Sequence, residues 1–130
     1  MNVVDSSAWL EYLGDGPNAG VFAKAIECPD KLIVPSLSLF EVFKRIAILS
    51  GEAQALKAMA LMMQGHVVDL TSAIAIEAAR VSMAEHLPLA DSVILATSRI
   101  HKAVLWTQDA HFEGLSGVEI VGVLEAAGVG

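Results

Sequence analysis

Four acids, Asp5, Glu41, Asp91 and Asp109, stand far apart in the chain, yet each falls where a strand should end or a helix should begin. Asp5 directly follows the apolar run Asn2–Val4. Asp109 follows the run Ala103–Trp106, after Thr107 and Gln108. Glu41 lies one turn inside a helical stretch that starts just beyond a second apolar run, Leu32–Val34. Asp91 lies in the first turn of the helical stretch after Pro88. Carboxylates brought together repel one another, and they either take up protons or recruit a cation. Acids without His or Cys among them suit Mg²⁺ or Mn²⁺ better than zinc. Mg²⁺ takes oxygen ligands at roughly 2.0–2.1 Å and keeps several waters. Two such ions about 3.5–4 Å apart can clamp the attacking and leaving oxygens of a phosphoryl transfer. Metal-assisted phosphodiester hydrolysis is the chemistry these residue types would serve.

Each acid also has a plainer role open to it. Asp5 can cap the first helix. Glu41 closes the segment Ser38-Leu39-Phe40-Glu41, which has the form of a capping box. Asp91 complements a helix dipole, and Asp109 can cap the short turn before Phe112. What favours a shared site is the set of elements around them.

Those elements alternate. Apolar runs at Asn2–Val4, Leu32–Val34, Val67–Leu70, Ala103–Trp106 and Val118–Val121 read as short strands. Helical spacing of apolar residues predicts helices over Ser6–Leu13, Asn18–Glu27, Ser36 or Ser38 to Ser50, and Glu52–Gln64. Two more follow, from Thr71 or Ser72 to His86 and over Leu89–His101. Gly14, Gly16-Pro17, Pro29, Pro35, Gly51 and Pro88 punctuate them. Short apolar strands separated by helices imply a parallel sheet covered on both faces. The expected fold is a single three-layer α/β/α domain over residues 1–130 with a mostly parallel central sheet, and with a small-residue tail from about 122 that frays. Ligands of such sheets bind beyond the carboxyl ends of the strands, and there Asp5, Asp109 and the helix starts carrying Glu41 and Asp91 would meet.

Composition bounds the rest. One domain is the expectation for 130 residues. Hydrophobic residues make up 55% and mean hydropathy is +0.59, high enough to suggest surface covered by a partner. Charges interrupt every long apolar stretch, so no membrane span is expected. The opening MNVVDSS shows no export signal. Cys28 is the only cysteine, which excludes an internal disulfide and a cysteine-based zinc cluster. The cytoplasm is therefore the expected compartment. The net charge of −7 weighs against a nucleic-acid partner, but bound cations at the four acids would invert the local potential.

Four stretches together resemble a known pattern. They are Val4-Asp5-Ser6-Ser7, Glu41 in its segment with Val42, Pro88-Leu89-Ala90-Asp91-Ser92-Val93-Ile94-Leu95-Ala96-Thr97, and Leu105-Trp106-Thr107-Gln108-Asp109-Ala110-His111-Phe112. In order and spacing the chain resembles the PIN-domain nucleases, and most of all the VapC-type toxins of toxin–antitoxin pairs. The resemblance implies a Mg²⁺- or Mn²⁺-dependent endoribonuclease, a homodimer, a cognate antitoxin, and as substrate a structured RNA with an accessible single-stranded loop. It also implies that Asp5, Glu41, Asp91 and Asp109 hold the metal and carry catalysis, with the hydroxyls of Ser6 and Thr107 supporting them. Some relatives carry a further acid just after the fourth. This chain has His111 there, a departure that bears on any second metal ion.

Other residues carry weaker signals. His66, His86, His101 and His111 are dispersed and suit surface or capping roles; His111, two residues from Asp109, is the candidate proton donor or phosphate contact. Lys44 and Arg45 have the spacing to pair with Glu41 along a helix, with a phosphate contact as the other option. Arg99 and Lys102 sit where cations suit a helix end and read as solvent or antitoxin contacts. Apolar residues wrap too far around the third and fourth helices to form one buried stripe, and the excess, with its methionines, fits an antitoxin helix or strand. Trp9 and Tyr12 belong to the core or to that surface.

Two other function classes remain. A receiver-like phospho-acceptor domain has similar length and an acidic Mg²⁺ pocket, but it normally shows paired acids at the first strand and a lysine after a late one; here only Asp5 is present, and no lysine follows Lys102. A catalytically silent PIN module that binds RNA or a partner is the second.

Overall fold

In a computed structural model the structure describes residues 1–121. The tail expected to fray from about 122 lies outside the described residues.

The elements run β1 (Asn2–Val4), α1 (Ser6–Leu13), α2 (Ala19–Ile26), β2 (Leu32–Pro35), α3 (Ser36–Ser50), α4 (Glu52–Met62), β3 (His66–Val68), α5 (Ser72–Glu85), α6 (Leu89–Ile100), β4 (Val104–Thr107) and β5 (Val118–Ile120). Short 3₁₀ turns occupy Pro29–Lys31 and Ala110–Phe112. The strands form one sheet in the order β3-β2-β1-β4-β5, and every neighbouring pair is parallel. This is the expected α/β architecture, with the sheet parallel throughout. A receiver-like doubly wound sheet would run 2-1-3-4-5, so the strand order rules that alternative out.

Alternation along the strands builds two cores. Val3, Ile33 and Leu105 point to one face and pack against Ile74, Ala78 and Val81 of α5 and Val93, Ile94 and Leu95 of α6. Val4, Leu32 and Val34 point to the other, against Trp9, Phe22, Ile26, Val42, Ala58 and Met62 from α1 to α4. Both faces are therefore dry, which is why these strands read as unbroken apolar runs.

Trp9 is fully buried and meets Tyr12 edge-on at 6.4 Å, so it belongs to the core and not to a partner surface. Between α3 and α4, Gly51 adopts φ 91°, a left-handed conformation that glycine takes without a Cβ penalty. That lets two helices meet with no intervening loop. No helix among the described residues is long and apolar enough to cross a membrane.

Several boundaries differ from expectation. β3 starts at His66, not Val67, and β4 runs one residue further, through Thr107. α3 begins at Ser36 straight after Pro35. Ser38 is thus inside the helix, buried, and its hydroxyl has no partner. The capping box expected of Ser38 and Glu41 does not form.

Candidate metal centre

Asp5 is the first residue beyond β1, and it is buried. Its Oδ1 accepts the backbone N–H of Ala8 at 2.9 Å and the Ser7 hydroxyl at 2.8 Å, so it does cap α1. Its Oδ2 accepts the Thr107 hydroxyl at 2.6 Å. The strand register makes that bond: Val4 of β1 lies beside Trp106 of β4, so the next residues on each strand face one another. Thr107 Oγ1 in turn accepts the Asp109 backbone N–H at 2.9 Å. One hydroxyl thus ties two of the acids together.

Asp109 caps the 3₁₀ turn through His111, whose backbone N–H it accepts at 2.9 Å. Phe112, in the same turn, is fully buried and anchors it. The His111 ring lies with Nδ1 3.2 Å from Asp91 Oδ2 and 3.4 Å from Asp109 Oδ1. Asp91 comes from the first turn of α6. Asp91, Asp109 and His111 each offer a ligand atom, all within 4.8 Å of one another, the arrangement of a group able to hold a cation. Glu41, from the second turn of α3, accepts the Ser6 hydroxyl at 2.6 Å.

Two of the acids are shifted. Burial pushes the Asp5 carboxyl up to about 6, against its hydrogen bonds to Thr107, Ala8 and Ser7, and the charge of Asp109 adds to the rise. Asp91 is also raised, by burial first, then by Asp109 and Glu41, with the His111 hydrogen bond and charge acting the other way. Asp5 and Asp91 are thus both raised, and the charge of Asp109 contributes to each. Such a group is stabilised by a cation, and three carboxylate or imidazole atoms already sit at ligand-to-ligand spacing.

Sequence reasoning put the four acids at the carboxyl edge of the sheet, and the family resemblance added Ser6 and Thr107. The structure gives Asp5 contacts with Thr107, Asp109 with Thr107 and His111, Asp91 with His111, and Glu41 with Ser6. Asp5 and Glu41 lie outside the tightest group, which holds Asp91 and Asp109 with His111. His111 was left out of the expected ligand set. Its signal was the spacing from Asp109: two residues on, in a turn capped by that same acid. Lys44 and Arg45 form no ion pair with Glu41 among the described residues; Lys44 lies over the Phe40 ring at 5.9 Å. Arg99 bonds the Ser116 carbonyl and hydroxyl at 3.2 and 3.1 Å, holding the loop before β5. His66 meets the Asp30 carbonyl, His101 the Thr97 carbonyl, and His86 ends α5 at φ 57°, all structural roles.

A wide groove of about 830 Å³ opens beside this centre. α1 lines it with Leu10 and Leu13, and the α3–α4 hairpin with Arg45, Ile46, Leu49, Lys57 and Leu61. It reaches Ser7 and Gln108, the neighbours of the acids.

Solved structures share the fold. One is a toxin–antitoxin complex from Klebsiella pneumoniae, similar over 92% of this chain and 96% of that one, with a TM-score of 0.78 and 21% identity. Another is the DNA-bound VapBC of Salmonella typhimurium, with a TM-score of 0.73, 13% identity, and 93% and 96% of the two chains covered. A third is VapC20 of Mycobacterium tuberculosis, described as a sarcin–ricin-loop-cleaving toxin, with a TM-score of 0.67, 17% identity, and 98% and 95% covered. No curated protein matches the chain in sequence. The family model of the PIN domain matches residues 3–118, nearly all of the described structure, and the chain belongs to the PIN-domain family.

Proposed function

We propose that this protein is a metal-dependent endoribonuclease and the toxin of a type II toxin–antitoxin pair. One observation carries the proposal: Asp91 and Asp109, from separate elements, offer ligand atoms within 4.8 Å of each other and of His111, while Thr107 ties buried Asp5 to Asp109 and Ser6 holds Glu41. Asp91 and Asp109 would hold Mg²⁺ or Mn²⁺, with Asp5 and Glu41 completing the acidic surround. When bound, such an ion would offset charge building on phosphate oxygens and lower the pKa of a bound water, easing its deprotonation to the nucleophile.

The chain's own residues do the positioning. Thr107 and the Ala8 N–H hold the Asp5 carboxylate in one orientation inside a dry wall. Ser6 holds Glu41 Oε1. The turn anchored by Phe112 sets Asp109. A site fixed this firmly needs little rearrangement when a phosphodiester arrives. The substrate we favour is a single-stranded loop of a structured RNA, whose splayed backbone can reach an acid cluster at a sheet edge.

The antitoxin would occupy the groove between α1 and the α3–α4 hairpin. Its apolar floor, the basic Arg45 and Lys57 on its walls, and exposed Leu49 suit an amphipathic acidic segment. Because the groove reaches Ser7 and Gln108, an occupant would abut the acids. The toxin would act in the cytoplasm as a single domain and as a homodimer, for which exposed Ile76, Met83 and Leu89 offer a separate apolar face.

Incubation of purified protein with total RNA tests this. Cleavage should appear with Mg²⁺ or Mn²⁺, stop with EDTA, and be absent from Asp91→Asn. Metal binding with no cleavage of any RNA would leave a silent binding module instead.

A further inference from the structure

We propose that His111 is itself a ligand of this centre, through Nδ1, and that the mixed imidazole–carboxylate set selects Mn²⁺ over Mg²⁺. The inference rests on the nuclease proposal and deepens it by naming the cation class.

The geometry carries it. Adjacent ligands of an octahedral ion with bonds of about 2.1 Å lie about 3.0 Å apart. Nδ1 of His111 is 3.2 Å from Asp91 Oδ2 and 3.4 Å from Asp109 Oδ1, close to two such edges. The ring is not brought there by apolar packing, because 62% of the side chain is exposed. Its position is set from below: buried Phe112 pins the turn, and Asp109 Oδ1 accepts the His111 backbone N–H. The same carboxylate thus holds the histidine backbone and faces its ring. Imidazole nitrogen binds first-row transition ions readily, whereas Mg²⁺ holds to oxygen and water. A nitrogen among the ligands should therefore separate two ions that an all-carboxylate site would treat more alike.

The competing role for His111 is that of an internal counter-ion, a ring paired with the acids and displaced by any metal. The two roles predict opposite signs. Removing a ligand weakens Mn²⁺ binding. Removing a counter-ion strengthens binding of both ions, since the acids are left uncompensated.

The test uses the full chain, stripped of metal. Mn²⁺ and Mg²⁺ affinities are measured by calorimetry for wild type, His111→Ala and His111→Asp, and pulsed EPR of the Mn²⁺ forms reads coordinated nitrogen. Melting curves check that the variants remain folded. We expect a nitrogen coupling in wild type that disappears in both variants. His111→Ala should weaken Mn²⁺ at least about tenfold, the low end of what losing even an outer-sphere partner costs, and leave Mg²⁺ little changed. His111→Asp should bind both ions with a smaller preference between them. Mn²⁺ bound without nitrogen coupling, or bound more tightly by His111→Ala, overturns the inference and leaves the nuclease proposal standing. A wild type that takes up neither ion overturns both.

Discussion

Thr107 and Asp5, 102 residues apart, share a buried bond: the threonine hydroxyl donates to Asp5 Oδ2 at 2.6 Å. Thr107 Oγ1 itself accepts the Asp109 backbone N–H at 2.9 Å. Thr107 is therefore the joint between two acids that follow adjacent parallel strands, and its removal should disturb both.

Thr107→Val keeps the shape of the side chain and loses the donor. A hydrogen bond to a charged group contributes roughly 1.5–3 kcal/mol, so RNA cleavage at pH 7 should fall about 10- to 100-fold. Asp5 loses the hydrogen bond that most lowers its proton affinity, so the acidic limb of the pH–rate profile should move to higher pH. Thr107→Ser should restore most of both. An unshifted profile in Thr107→Val would show that the hydroxyl only packs.

Asp5 should also link stability to pH. Its carboxyl is raised to about 6 in the fold, above the ordinary 3.8. The folded protein therefore holds a proton that the unfolded chain releases between those values. This stability is complete below about pH 4 and is lost as pH rises through about 6. Without metal, Asp5→Asn should be more stable than wild type at pH 7.5, by at most about 3 kcal/mol, and the gap should close near pH 4. Urea melts in EDTA at the two pH values measure it. The same variant should have lost cleavage.

Cation binding should stabilise the folded chain. At ten times its dissociation constant an ion adds about 1.4 kcal/mol, enough to raise Tm by several degrees. Scanning calorimetry with and without Mn²⁺ should show this for wild type. In Asp91→Asn and Asp109→Asn the rise should be much smaller.

The partner groove should separate from the chemistry. Leu49 is 64% exposed and lines the groove. Leu49→Asp should weaken binding of the cognate antitoxin by roughly 100-fold or more, the loss of an apolar anchor plus a buried charge, while RNA cleavage without antitoxin stays at the wild-type rate. Binding and cleavage assays on one preparation check both. Unchanged affinity would move the antitoxin to another face.

Ser6→Ala removes the 2.6 Å bond to Glu41. The pair is partly exposed, so the expected stability loss is under about 1 kcal/mol. Cleavage should drop by up to about tenfold, through a less ordered Glu41, in steady-state assays at saturating metal.

The sequence by itself determined the alternation of strands and helices, because apolar β-branched runs such as Asn2–Val4 and Leu32–Val34 carry the signal of a sheet buried on both faces. Caps at Asp5 and Thr71 were legible too, since they depend on a bond only three residues long. The four acids stood out as candidates because each falls at or near such a boundary. Other features depended on distances across the fold. Ser38 and Glu41 have the form of a capping box, yet the strand before them runs through Pro35 and the helix already starts at Ser36. Glu41 then meets Ser6, 35 residues away. The bond between Asp5 and Thr107 follows from the parallel register of β1 and β4, and His111 reaches Asp91 only because the start of α6 and the turn after Asp109 lie side by side. Local pattern encodes period and caps; which side chains touch across the sheet is decided by register and helix packing, and no window of sequence contains those.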